Sequence, residues 1–321
     1  MCSSDLVSGT FQKVDEQEPI AQVSNVTVSG CYWDVTRMPN TSEIGEGKTT
    51  EEMKQQSTFV GWDFDNDWGF HPEINQEYPF LRALDSDPET DMEGSGRLED
   101  PFVITTVEQL QTMGTLLASH YILGNDIDAS DTVNWNDGAG FKPIGVYPEF
   151  TGSLDGKMFS IFNLYINKAA THVGLFGRLV GVVKSVKLVA AEIHSSASYV
   201  GGIAGESRGT IEKCYVSGNI SSTVSYVGGI VGQCTGSISE CYSEGSITGE
   251  GALGGIVGRT FSTSVVFTNC FSHCSIEGTS FYCGGAIGQP QYVGHTRSYS
   301  TGLVVGGTLS GGFSGLPGNN G

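Results

Sequence analysis

The chain repeats itself, and that constrains its fold more than any single residue does. A V-G-G-I-V-G type segment recurs at Val200–Gly205, Val227–Gly232, Leu253–Gly258, Cys283–Gly288 and Ser310–Gly315, with a shorter relative at Val173–Gly177. Taken at Gly174, Gly201, Gly228, Gly254, Gly284 and Gly311, the intervals are 27, 27, 26, 30 and 27 residues. Repeats of this length build stacked architectures, in which each unit buries its apolar face only against its neighbours.

A second signature follows each glycine segment: Cys214-Tyr-Val-Ser-Gly-Asn-Ile220, Cys241-Tyr-Ser-Glu-Gly-Ser-Ile247, Cys270-Phe-Ser-His-Cys-Ser-Ile276 and Ser298-Tyr-Ser-Thr-Gly-Leu-Val304. Ile211 and Ile238 lie three positions before their cysteines. Each unit therefore holds two or three short apolar runs between Gly, Ser, Thr and Asn. Such runs are too brief for helices and suit strands joined by turns. One repeat is about the length of one coil, so the predicted fold is all-β, a right-handed parallel β-helix (solenoid) with small capping segments that include one short helix. The paired glycines fit tight corners or places where backbone must approach backbone. Of the 46 glycines, 28 fall within residues 199–321, but they alternate with Ile, Val, Tyr and Cys. That apolar comb separates the segment from an aperiodic Gly/Ser linker.

The paired G-G-I-V-G and C-Y-S-x-G-x-I segments resemble the GLUG-motif repeats of bacterial surface proteins. Glu99–Leu110, Leu123–Asp128, Pro143–Gly145, Phe150–Gly156 and Ile161–Ile166 resemble the segment that opens such arrays. The resemblance covers residues 99–321. It implies architecture and an extracellular or cell-surface location, and it says little about activity. Repeats of this kind occur in adhesins, in IgA-specific metallopeptidases and in other exported proteins.

Four regions follow. Residues 1–84 read as the C-terminal part and cap of a preceding repeat unit, ending on Tyr78-Pro-Phe-Leu-Arg82, with a short helix expected at Lys48–Gln56 behind an N-cap Thr. Residues 85–98 form an acidic, Gly/Pro-bearing linker. Residues 99–172 are expected to cap the second array, with a capping box at Thr105–Glu108 opening a helix to about Ser119. Coils then run from 173 to 321, where the array reads as truncated. Met1–Leu6 lacks the charged start and apolar core of a signal peptide, and no run reaches transmembrane length.

The formal net charge is −19, of which −15 lies in residues 1–100. An acidic chain without basic stripes is repelled by phosphate backbones, so nucleic-acid binding is not expected. Among the eight cysteines, Cys214, Cys241 and Cys270 share one repeat position, with Ser298 next in the series. Their spacing matches no zinc pattern, and a ladder of small buried residues is the expected reading. Asp63-Phe-Asp-Asn-Asp67 begins like a calcium loop, but Trp68 and Ile74 stand where that loop needs its Gly and its bidentate Glu. Asn125-Asp-Ile-Asp128 reads as a turn with Ile127 facing in.

The six histidines are scattered, and no nucleophile elbow, phosphate loop or H-E-x-x-H is present. Solenoid lyases and hydrolases need carboxylates clustered on one face. Here only Glu212 and Glu240, near equivalent positions before the Cys, suggest a pair. No catalytic, cofactor or metal residue is assigned. The candidate binding residues are Tyr215, Tyr242, Phe271 and Tyr299, each beside the ladder position. Facing out, they would offer a stripe for glycan stacking; facing in, they would form a core stack, which Phe271 and its apolar neighbours favour. A second aromatic set is Tyr199, Tyr226 and Tyr282, interrupted by Ala252.

The expected function is a non-catalytic repeat stalk or adhesive region of an exported bacterial surface protein. Its expected partners are a cell-surface glycan or host protein, with no nucleic acid, no membrane span and no cofactor. Two alternatives stand beside it: an accessory repeat region of a secreted IgA-type metallopeptidase, and a β-helix carbohydrate-active enzyme.

Overall fold

The computed structural model describes residues 30–37, 45–64, 68–69, 77–81, 92–224, 226–262, 265–279, 282–291 and 293–315. The readings made on residues 1–29, on Asp65–Asp67 of the calcium-like run, on Ile74, on residues 85–91 of the linker and on residues 316–321 lie outside these. The chain divides into two compact units, Met1–Asp91 and Met92–Gly321.

In the first unit, Tyr32–Asp34 pairs in parallel with Glu46–Lys48, and Trp68–Gly69 pairs antiparallel with Phe80–Leu81. The expected helix is there, short, at Thr50–Met53. Thr49 caps it, and Glu52 returns the bond to the Thr49 backbone at 2.8 Å. Phe59, Trp62 and Trp68 pack ring on ring, with centroids 4.7 and 4.0 Å apart.

The second unit is a parallel β-solenoid. One 27-residue period is one coil, and it carries four strands rather than the two or three runs read from sequence. Val200–Gly201, Ala204–Ser207, Thr210–Glu212 and Tyr215–Ser222 make up one such coil. Each strand pairs in parallel with its equivalents in neighbouring coils, giving four sheets. Stacking in register brings like positions together: Leu154, Val183, Ile211, Ile238 and Phe267 form one inward column in the third sheet. Ile166, Ile193, Ile220, Ile247 and Ile276 form another in the fourth. All ten are buried, because alternation turns every second side chain into the core.

The same sheets run upstream of Val173. Phe102–Ile104, His120–Leu123 and Ser153–Asp155 are the first strands of the third sheet, and Ile127–Asp128 and Ser160–Phe162 belong to the fourth. Residues 99–172 thus supply coil strands as well as the cap. The capping box falls one residue later than read, between Thr106 and Gln109, whose side chain also accepts from the Thr105 N–H at 2.7 Å. Its helix, Val107–Thr112, stops well short of Ser119. Gly114 is a poor helix former, and the Thr112 and Thr115 hydroxyls take main-chain carbonyls at 3.0 and 2.8 Å.

The V-G-G-I-V-G motif has a steric cause. Its last glycine lies against the backbone of the corner residue one coil back. A Cβ on Gly205 would come 2.5 Å from His172 Cα, and one on Gly232 would come 2.5 Å from Val200 N. Main-chain atoms cannot give way, so glycine is required for close approach rather than for positive φ. Positive φ falls on neighbouring corners instead: on His172, Tyr199 and Tyr226 just before the motif, and on Ser185, Lys213, Glu240, Asn269 and Arg297 at the corner that leads into the cysteine ladder.

Candidate functional site

The cysteine ladder faces in. Cys214, Cys241 and Cys270 are buried, and each thiol donates to the carbonyl two residues back, of Glu212, Ser239 and Thr268, at 3.2–3.3 Å. Burial pushes the Cys241 thiol far up, and the neighbouring Cys241 thiol and burial do the same to Cys270. These are inert packing groups, unsuited to metal or nucleophilic chemistry.

It follows that the next residue faces out. Tyr215, Tyr242 and Phe271 are half-buried and Tyr299 is 53% exposed. The core stack favoured by Phe271 is therefore not what forms, since strand alternation from the buried cysteine overrides the apolar neighbourhood. The rings stack down the axis, with centroids 4.8, 4.0 and 5.1 Å apart and the last pair within 6° of parallel. Ring faces along this ladder lie against one another, and the outward surface is their edges.

Polar groups on the same face pair in the same way. Glu244 receives the hydroxyls of Tyr215 and Tyr242, one on each oxygen. Those two bonds hold its carboxyl below the usual range, while burial and the Glu244 charge push the Tyr242 phenol well up. Asn219 donates to Glu192 at 2.6 Å and accepts from Ser246 at 2.6 Å, and His194 meets Ser221 at 2.7 Å. The Tyr215–Glu244, Asn219–Glu192, Ser246–Asn219 and His194–Ser221 contacts each reach one coil away, while Tyr242 bonds Glu244 within its own strand.

The Glu212–Glu240 pair is not formed. Glu212 is in register with Ser239, while Glu240 turns out at the corner as the equivalent of Lys213. The Lys213 ammonium lies 2.7 Å from Glu212. The chain bends at Asn125, but Ile127–Asp128 is a strand rather than part of a turn; Ile127 is buried as expected, and the Asp126 and Asp128 carboxylates accept from the Ser160 and Ser130 amides at 2.7 and 3.0 Å. Among the described residues, no group of three or more His, Cys, Asp or Glu side chains is arranged to hold a metal ion.

One cluster escaped the sequence reading. Glu206, only 6% exposed, meets His172 Nε2 and Arg178 Nε at 3.1 Å and Arg208 Nε at 3.0 Å. Both arginines also reach Glu149 at 3.1 Å. The His172 contact, and then the charges of Arg178 and Arg208, outweigh burial and hold the Glu206 carboxyl at about 2. An ionised carboxylate with both oxygens engaged does not serve as a general acid or base at neutral pH. His172 also opens the second aromatic column, stacked on Tyr199 at 4.9 Å, with Tyr226 at 5.4 Å beyond it. Arg259 covers Tyr226 at 5.0 Å.

Residues 196–221, most of one coil, match the family profile of the GLUG motif. One coil of this chain thus matches the GLUG motif. Halomucin of Haloquadratum walsbyi is 37% identical over 139 residues, which is 39% of this chain and 2% of that protein. A protein of Evansella cellulosilytica named "Putative Gly-rich membrane protein" is 29% identical over 131 residues, 38% of this chain and 15% of that one. The chain thus corresponds to a small part of the length of these relatives. Among solved structures, a Bacteroides ovatus chain described as a "putative immunoglobulin A1 protease" superposes with a TM-score of 0.59 at 23% identity. The match covers 66% of this chain and 69% of that one, and the likeness is one of fold.

Proposed function

We propose that this GLUG-repeat region is a non-catalytic scaffold of an exported, cell-surface protein, a stalk whose coils set reach and stiffness. The observation that carries this reading is the direction of the outward chemistry. Tyr215 bonds Glu244, Asn219 bonds Glu192, His194 meets Ser221, and Arg178 bonds Glu206. These groups zip one coil to the next. A catalytic face would instead converge on a reacting atom. The names of the relatives, a mucin and a membrane protein, support a surface location.

On this reading, a glycan contact with the Tyr215–Tyr242–Phe271–Tyr299 ladder is limited to ring edges and to the open end at Tyr299. The peptidase-arm alternative keeps its support in the fold of the Bacteroides ovatus chain. It differs from the stalk only in what the rest of the protein carries.

The test uses intact cells. Antibody against residues 92–321 should label the surface, and brief external protease should remove the label. Deleting one whole coil, residues 215–241, should leave the protein exported and folded, because a solenoid heals across a missing repeat. Purified protein should leave uronate polymers and immunoglobulin A uncut. Turnover of either, or signal confined to lysed cells, would overturn the proposal.

A further inference from the structure

Away from the stacked faces, the loop between the strands Ile127–Asp128 and Ser153–Asp155 and the helix Val107–Thr112 border a depression, a cavity open to solvent. It has a volume of about 300 Å³ and is lined by Gln111, Trp135, Asn136 and Lys142. That is the lower end of the range for small-ligand sites and room for a single sugar ring.

The lining residues are held in place by local bonds and by packing on the core. The indole of Trp135 is half-buried and backs onto Phe141, with centroids 6.4 Å apart and planes 23° apart. Its backbone is pinned by the Gly138 and Gly140 amides, both donating to its carbonyl at 3.0 Å. Asn136 and Asp137 are left-handed, at φ 52° and 57°, a conformation that costs non-glycine residues about 1 kcal/mol or more. Asn136 Nδ2 donates to the Gly140 carbonyl at 2.7 Å, so its Oδ1 is left for another donor. Gln111 clamps the Lys142 backbone from both sides, donating to its carbonyl at 3.0 Å and accepting from its N–H at 2.8 Å. The Lys142 side chain is exposed, and its ammonium makes no ion pair among the described residues.

We propose that this cavity binds one sugar residue bearing a carboxylate, as in a uronic or sialic acid. Trp135 takes the apolar face of the ring, the Asn136 Oδ1 accepts from a hydroxyl, and the Lys142 ammonium takes the carboxylate. Gln111 is a positioning residue, since both its amide atoms are engaged with the Lys142 backbone. The proposal goes beyond the scaffold reading. It gives the stalk a point of attachment that is not the aromatic ladder, and its failure leaves the stacked-coil argument standing.

The test titrates the full chain, labelled with 5-fluorotryptophan, and follows fluorine NMR, the Trp135 resonance being assigned with Trp135→Phe. The probes are D-glucuronate and N-acetylneuraminate, with D-glucose and acetate as controls. The Trp135 resonance should shift with millimolar saturation for both acidic sugars, about tenfold more weakly for glucose, and not at all for acetate. Lys142→Gln should weaken glucuronate about tenfold while its thermal unfolding matches the parent. No shift of Trp135 at tens of millimolar acidic sugar would overturn the proposal. So would equal affinity for glucose, or unchanged affinity in Lys142→Gln.

Discussion

Single atoms decide more here than in most folds, because the first and second sheets meet backbone to backbone. Gly232 shows the scale. A methyl group there would press on Val200 N, so Gly232→Ala should cost about 2–3 kcal/mol, read as a lower urea midpoint with unchanged slope. Gly138 is the control. It sits at φ 82° with nothing within 4 Å of a Cβ, and Gly138→Ala should cost only the left-handed strain, about 1 kcal/mol. Equal costs at the two sites would refute the close-packing account of the motif. Ser207 points the other way. Its hydroxyl is buried without a partner, in the column that places Leu179 before it and Cys234 after it. Ser207→Ala should therefore stabilise by roughly 1 kcal/mol, seen as a higher midpoint, because an orphaned hydroxyl is removed from the core.

At the level of the strand, the ladder Tyr215–Tyr242–Phe271–Tyr299 behaves as one element. Tyr242 is stacked on both sides and Tyr299 on one. With each ring pair worth about 0.5–1.5 kcal/mol, Tyr242→Ala should destabilise roughly twice as much as Tyr299→Ala. The phenols give a second readout. Burial and the Glu244 charge raise Tyr242, and to a lesser extent Tyr215, above the ordinary tyrosine range. A raised folded pKa stabilises fully below the unfolded value near 10, and that contribution is lost as pH rises toward the folded value. Ultraviolet titration should therefore show a late-ionising class of tyrosines that Glu244→Gln moves to lower pH.

Much of this element could be read in advance. The 27-residue period gave the coil, whereas the direction of the aromatic was left open, with Phe271 and its apolar neighbours favouring a core stack that the structure does not form. What could not be read was the depth of local context. The run beginning at Phe102 looked like a cap, yet Phe102–Ile104 pairs with the coil strand His120–Leu123. It lacks the glycine motif because the first two sheets have not yet begun there. The Glu206 cluster was half visible. The residue after each motif's last glycine is Arg178, Glu206, Gln233, Arg259 and Gln289. A sign change one coil apart predicts the Arg178–Glu206 bond. His172 and Glu149 reach the cluster through corners that no period marks, and the Trp135 cavity lies in a loop outside the repeat altogether.

For the second unit as a whole, the stack converts local pairs into a property of the array. Loss of one ionised carboxylate should loosen the coils around it. The folded value of Glu206 is about 2 against 4.5, so it stabilises fully above pH 4.5 and the contribution is lost as pH falls toward 2. Thermal unfolding followed from pH 6 to about 2 should show a falling midpoint across that window. Glu206→Gln should flatten part of the fall and cost about 2 kcal/mol at neutral pH, since Arg178 and Arg208 lose a charged acceptor.

All of this rests on residues about 27 positions apart being neighbours in register. Dipolar electron-spin distances test that directly, with genetically encoded labels so that the native cysteines stay untouched. Lys184 and Thr268 are three coil steps apart in the third sheet, and Asp155 and Thr268 are four. At about 4.8 Å per step, the two pairs should read roughly 14 and 19 Å, with narrow distributions. Broad distributions, or distances that fail to grow by one step per coil, would contradict the stacked solenoid and the scaffold built on it.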